Sequence, residues 1–74
     1  MEKIIFDRHA RQRMKWRKIS PEEVEIVLAG PEKTELTEKG RMNAFKTVGN
    51  RYLKVTYRKF PDHLLVITAV DKTD

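Results

Sequence analysis

His9, Arg13 and Arg17 are the residues of this sequence whose types and spacing most readily suggest chemistry. They are spaced four residues apart, so an α-helix places them in one row. An imidazole can transfer protons near neutral pH, and guanidinium groups bind phosphate. The row overlaps the edge of an apolar stripe formed by Phe6, Ala10 and Met14, so we expect it to lean inward.

Two interpretations of this row stay open. In the first it is a site, where His9 transfers a proton and Arg13 and Arg17 bind a phosphate or its transition state. In the second it is structural, and the inward arginines bond backbone carbonyls or pair with the carboxylates of the next helix, Glu22, Glu23 and Glu25.

A second set combines cations with aromatic rings further along the chain. Its members are Arg41, Lys54, Arg58, Tyr52 and Phe45. They fall on one face of a predicted hairpin, and cations for phosphates with rings for bases are what recognition of single-stranded RNA requires. We expect Leu64, Val66 and Val70 to add apolar surface to this face. The alternative is an ordinary solvent-exposed sheet face.

Composition narrows the class of protein. The chain has 74 residues, a formal net charge of +5 and no cysteine. We therefore expect a single domain over residues 1–74, without disulfides or thiolate metal sites. The basic excess favours a polyanionic partner such as RNA or an acidic protein. We expect neither a metal nor a cofactor, because the two histidines are far apart and no phosphate-binding glycine loop is present. Nothing predicts a signal peptide or membrane span, so we expect a cytoplasmic protein.

Two helices are predicted in the first half of the chain. Asp7 can cap a helix from Arg8 to Arg17. Ser20 and Glu23 form a capping box around a proline, and this second helix should end at Gly30.

The second half predicts strands. Segments 41–48 and 51–58 alternate in polarity around Gly49-Asn50, a hairpin signal that pairs Val48 with Arg51 and Ala44 with Val55. Residues 64–70 are apolar on both sides, which predicts a central or doubly covered strand. Residues 33–37 predict an edge strand, joined to the hairpin by residues 38–40. Residues 3–5 add a short first strand. We expect an α+β fold, in which two adjacent helices pack on one face of a small antiparallel sheet.

One pattern resembles a known group. Residues 6–20 read F-x-x-H-A-x-x-R-M-x-x-R-x-I-S, and Arg51-Tyr52-Leu53-x-Val55 follows. Together they resemble a family of small prokaryotic domains of unknown function, distantly similar to the RelE/ParE/BrnT-like toxins with their β-α-α-β-β-β plan. That resemblance implies metal-free cleavage of messenger RNA on the ribosome by some members, gyrase inhibition by others, and neutralisation by an antitoxin. In the nucleases, Arg, Lys, Tyr or His groups on or beside the sheet carry the reaction. Residues of these types occupy plausible sheet positions here, and no shared motif assigns them: Arg41, Lys54, Arg58, Tyr52 and Tyr57.

Two functions follow as expectations. The first is a RelE-like toxin-family domain that acts on RNA, as a metal-independent ribonuclease or translation inhibitor. The alternative is a non-catalytic module that binds RNA or protein. The expected partners are RNA or the ribosome and an acidic antitoxin-like protein, without a membrane, and the chain is expected to be a monomer or weak homodimer. A cleft shared by the helix row and the basic sheet face would favour the first function.

Overall fold

Two helices and five strands make up the fold. The computed structural model describes residues 3–37 and 39–73. The elements are β1 (Lys3–Phe6), α1 (Arg8–Arg17), α2 (Pro21–Ala29), β2 (Lys33–Leu36), β3 (Met42–Val48), β4 (Arg51–Lys59) and β5 (His63–Asp71). The predicted α+β class is confirmed. The predicted connection over residues 38–40 begins at Glu38, which lies outside the described residues.

The strands form one sheet in the order β1-β5-β4-β3-β2. Strands β2 to β5 pair antiparallel, but β1 pairs parallel with β5, from Lys3 beside His63 to Phe6 beside Val66. The sheet is therefore mixed, and the expectation of an antiparallel sheet is wrong for its first strand. A four-residue apolar strand carries no local signal for the direction of its partner, because that partner lies at the other end of the chain.

Local capping sets the helix limits as predicted. The Asp7 side chain accepts a hydrogen bond from the His9 backbone N–H at 2.8 Å and starts α1. The capping box of α2 is complete: the Glu23 N–H donates to Ser20 Oγ at 3.1 Å, and the Ser20 N–H donates to Glu23 Oε1 at 2.9 Å. These bonds satisfy backbone donors that have no partner inside a helix. Lys18, with φ of 55°, ends α1 in the left-handed conformation.

The hairpin between β3 and β4 has the predicted register. Val48 pairs with Arg51 and Ala44 with Val55. Within the two-residue loop Gly49 has a φ of +63° and Asn50 has no positive φ, the pattern of a type II′ turn. Lys46 breaks the apolar pattern on the helix-covered face, and its ammonium group donates to the Gly30 carbonyl at 2.9 Å. A cation there complements the negative end of α2.

The core lies between the two helices and one face of the sheet. Its buried residues are Ala10, Met14, Ile19, Val24, Val27, Ala44, Leu53, Val55, Val66 and Ala69. Since α1 packs mainly on β5 and α2 on β3 and β4, the helices cover this one face.

An irregularity in β5 changes which of its residues face the core. Thr56 pairs with Thr68 but Tyr57 pairs with Val66, so Ile67 is an extra residue in β5. Val66 is fully buried under the helices. Leu64 shares its alternation and lies on the same side of the sheet. The expectation that Leu64 and Val66 face the basic side is therefore wrong, whereas Val70, opposite Lys54, does lie there.

Candidate nucleic-acid interface

His9 and Arg13 lie on the solvent side of α1. Both are exposed, whereas Ala10 and Met14 fill the inner side. At 100° per residue, Arg13 stands about 100° and His9 about 140° from Met14, too far round the helix to lean inward. The expectation of an inward row is wrong for these two residues.

Arg17 does contact the sheet, at the edge of β5. Its Nη1 donates to the Ala69 carbonyl at 2.8 Å and to Thr68 Oγ1 at 3.3 Å. Strand β1 runs beside β5 only as far as Phe6 and Val66, so the following β5 carbonyls have no β1 residue beside them. Arg17 thereby satisfies a backbone acceptor at a strand edge and holds the end of α1 on β5.

Arg51 is an ionic contact that the sequence did not identify as important. Its guanidinium donates to the Glu23 carboxylate and, at 3.1 Å, to the Lys18 carbonyl. The Arg51 guanidinium, aided by the Ser20 backbone N–H, holds the pKa of the Glu23 carboxyl below its usual value. The same bond raises the pKa of Arg51. The glutamate expected to pair with the α1 row thus pairs with β4. The hairpin register contained a signal for this contact, because it places Arg51 opposite Val48 on the apolar face of the sheet, where a cation needs a partner.

The side of the sheet away from the helices carries the second predicted set. We call this side the open face and define it by Phe45, Tyr52, Lys54 and Arg58. The Phe45 and Tyr52 rings stack with centroids 5.9 Å apart and planes 21° apart. Phe45 is only 8% exposed, and Lys33 Nζ also covers its ring at 5.3 Å from the centroid. Tyr52 is only half-buried, so its ring is the one available to a base. Phe45 holds the Tyr52 ring in place by stacking against it.

The cations of the open face occupy two positions of β4 on the same side. Lys54 lies between Phe45 of β3 and Val70 of β5, and Arg58 lies opposite Leu65. Four residues at about 3.4 Å each separate their backbones by roughly 14 Å. Arg58 also donates from Nη2 to the Lys39 carbonyl at 3.0 Å, which orients its guanidinium.

Arg41, the remaining member of the predicted set, is exposed and immediately precedes β3. Its carbonyl accepts hydrogen bonds from the Thr37 N–H at 2.8 Å and from Thr37 Oγ1 at 3.0 Å. These bonds hold the backbone at Arg41 beside the end of β2. They involve only the Arg41 carbonyl and not its guanidinium.

The two predicted constellations lie on opposite sides of the sheet. The helix α1 packs over the face that contains Val55 and Ala69, whereas Lys54 alternates to the other face. His9 and Arg13 face solvent beyond α1, so the body of the sheet and helix separates them from Lys54 and Arg58. These residues do not form one cleft.

Within residues 3–37 and 39–73, no group of three or more His, Cys, Asp or Glu side chains is arranged to hold a metal ion. Over the same residues, neither α1 nor α2 has the length and apolar composition that a membrane-spanning helix needs.

Comparison with known proteins gives a family for the chain. Neither the search of curated proteins nor that of solved structures found a match. The profile of one family does match, over residues 6–71. This range contains both helices and the four strands β2 to β5. The chain belongs to this family, which is described as a domain of unknown function (DUF4258).

Proposed function

We propose that this domain acts on RNA by binding it on the open face of the sheet. The observation that carries the proposal is the combination of Lys54 and Arg58 with the half-buried ring of Tyr52, on a face that neither helix covers. Cations supply phosphate contacts, and an aromatic ring supplies a stacking surface that every base can use.

Charge on the rest of this face favours β4 and β5 as the contact region. On β2, Lys33 and Glu35 form an ion pair at 3.4 Å, so the charges at that edge offset each other. No such carboxylate lies within ion-pair distance of Lys54 or Arg58 among the residues that the structure describes. A polyanion would therefore be drawn towards β4.

Binding rather than cleavage is the activity that the geometry supports. Proton transfer and phosphate stabilisation at one scissile bond require the groups concerned to lie within hydrogen-bond reach of the same phosphate. His9 and Arg13 lie on the far side of the sheet from Lys54 and Arg58. Inhibition of translation by an RNA-bound domain, as the resemblance to RelE-like toxins suggests, needs no such common centre.

Fluorescence anisotropy of a labelled single-stranded RNA tests the proposal. The double variant Lys54→Ala/Arg58→Ala is expected to bind at least about tenfold more weakly, and the magnitude of the slope of log affinity against log salt should fall by about 1.4, because each lost contact to a single strand removes about 0.7. The matched control is Arg11→Ala/Lys46→Ala, which also removes two charges but from the helix side of the sheet, where Arg11 lies over the Phe6 ring and Lys46 bonds the Gly30 carbonyl. Equal weakening in both double variants would mean that net charge alone governs binding, and the open face would no longer be supported.

A further inference from the structure

The solvent side of α1 is a cationic surface with an aromatic ring at its centre. Its exposed residues are Arg8, His9, Gln12, Arg13, Lys15 and Trp16. Trp16 is 79% exposed, the highest value among the large hydrophobic residues of the described chain. On the helix, Gln12 and Arg13 are the neighbours of Trp16 one turn earlier. A tryptophan this exposed contributes little to the core, so its position calls for another explanation.

The positive charge of this surface has no internal compensation. Helix α1 contains five arginines and lysines in ten residues and no carboxylate. Among residues 3–37 and 39–73, no carboxylate forms an ion pair with a cation of α1, and the Asp7 carboxylate is bonded to the helix backbone. Uncompensated cations around a cleft or ridge raise the local concentration of anions.

The surroundings of Trp16 distinguish between two kinds of anionic partner. An acidic protein would bury the indole in an apolar interface centre, which normally includes further large apolar side chains. The other exposed large hydrophobics are Ile5, Ile26 and Leu36, and none of them belongs to α1. Single-stranded nucleic acid requires only what α1 offers, a ring for a base and cations for the adjacent phosphates.

We propose that the outer side of α1 binds a single-stranded segment of RNA, with one base stacked on Trp16 and the neighbouring phosphates on Arg13 and Lys15. The inference rests on the proposed function and adds a second contact surface to it, on the other side of the molecule from Lys54 and Arg58. It assigns to α1 a binding role in which His9 need not transfer a proton.

Trp16 is the only tryptophan of the chain, so its fluorescence reports on this surface alone. Titration with a short oligoadenylate is expected to quench the indole emission, because a stacked base contacts the ring. Inorganic polyphosphate, which has the charge but no bases, is the matched probe and is expected to compete for binding without comparable quenching. Equal quenching by polyphosphate would overturn the stacking.

Substitution of the ring gives a second test, read by anisotropy of labelled oligoadenylate in the Lys54→Ala/Arg58→Ala background, where binding to the open face no longer masks a loss on α1. Trp16→Leu is expected to raise the dissociation constant by roughly 5- to 150-fold, the loss of one stacked base, whereas Trp16→Phe retains most of the affinity. Since Trp16 is exposed, both variants should fold, and circular dichroism checks this. An affinity unchanged by Trp16→Leu would overturn the inference.

The two proposals can fail separately. RNA that binds by anisotropy without changing the indole emission would refute the contact on α1 and leave the open face standing. Quenching that persists at saturating RNA in Lys54→Ala/Arg58→Ala supports the contact on α1. No binding by either readout would refute both proposals.

Discussion

Replacing Arg51 by alanine tests how far one guanidinium holds the helices on the sheet. Arg51 and Glu23 have side chains only 23% and 25% exposed, and Arg51 also bonds the Lys18 carbonyl at the end of α1. A shielded hydrogen bond between charged groups contributes about 1.5–3 kcal/mol, and a bond to a carbonyl about 1 kcal/mol. Water can reach the abandoned carboxylate in part, which limits the loss, so we expect Arg51→Ala to lower the free energy of unfolding by about 2–3 kcal/mol.

That loss is large for a domain of this size. At 0.05–0.15 kcal/mol per residue, the whole domain has a free energy of unfolding of roughly 4–11 kcal/mol. The melting temperature should therefore fall by roughly 10–20 °C. Urea unfolding followed by circular dichroism gives the free energy directly.

The matched control for this experiment is Arg13→Ala, which also removes one arginine. Arg13 is exposed and has no hydrogen bond or ion pair within residues 3–37 and 39–73, so its loss should change the free energy of unfolding by less than about 0.5 kcal/mol. If Arg51→Ala were as stable as Arg13→Ala, the contact between Arg51, Glu23 and Lys18 would not be holding the helices.

Three other predictions concern stability. Because Arg51 lowers the pKa of Glu23 from its ordinary value of 4.5, the stability from this pair is present above that pH and lost as pH falls through the lowered pKa. Urea melts between about pH 5 and pH 3 should therefore show a smaller acid-induced loss in Arg51→Ala than in the parent, and equal losses would contradict the linkage. Gly49→Ala forces a side chain into a φ of +63° and should cost about 1 kcal/mol in urea melts, whereas Asn50→Ala, without a positive φ, should cost clearly less. Ser20→Ala removes the α2 cap and should cost about 1 kcal/mol; unchanged thermal and urea melts would argue against the capping box.

The sequence predicted those elements whose signals are local. Ser20 and Glu23 encode the start of α2 within four residues, and Gly49-Asn50 sets the register of the hairpin because alternation on both flanking strands agrees with it. Both predictions are confirmed, with helix limits that differ little from those expected.

Long-range and unpatterned features were not predictable in this way. The extra residue at Ile67 leaves no trace in a segment that is apolar on both faces, since a shift of one residue preserves its composition. The inward lean of His9 and Arg13 was inferred from a stripe that included Phe6, yet Phe6 belongs to β1 and cannot define a face of α1. The bond between Arg51 and Glu23 joins residues 28 apart in sequence, and only the packed structure brings them together.

The central claim, that the domain binds RNA on the open face, is tested most directly by mapping the contact on the folded protein. Amide resonances of the ¹⁵N-labelled domain, followed during titration with single-stranded RNA, report each residue separately. The account predicts progressive shifts at Tyr52, Lys54 and Arg58, with those of the buried α2 residues Val24 and Val27 unchanged. Resonances of β4 that stay in place at saturating RNA, or a spectrum that RNA does not alter at low salt, would contradict it.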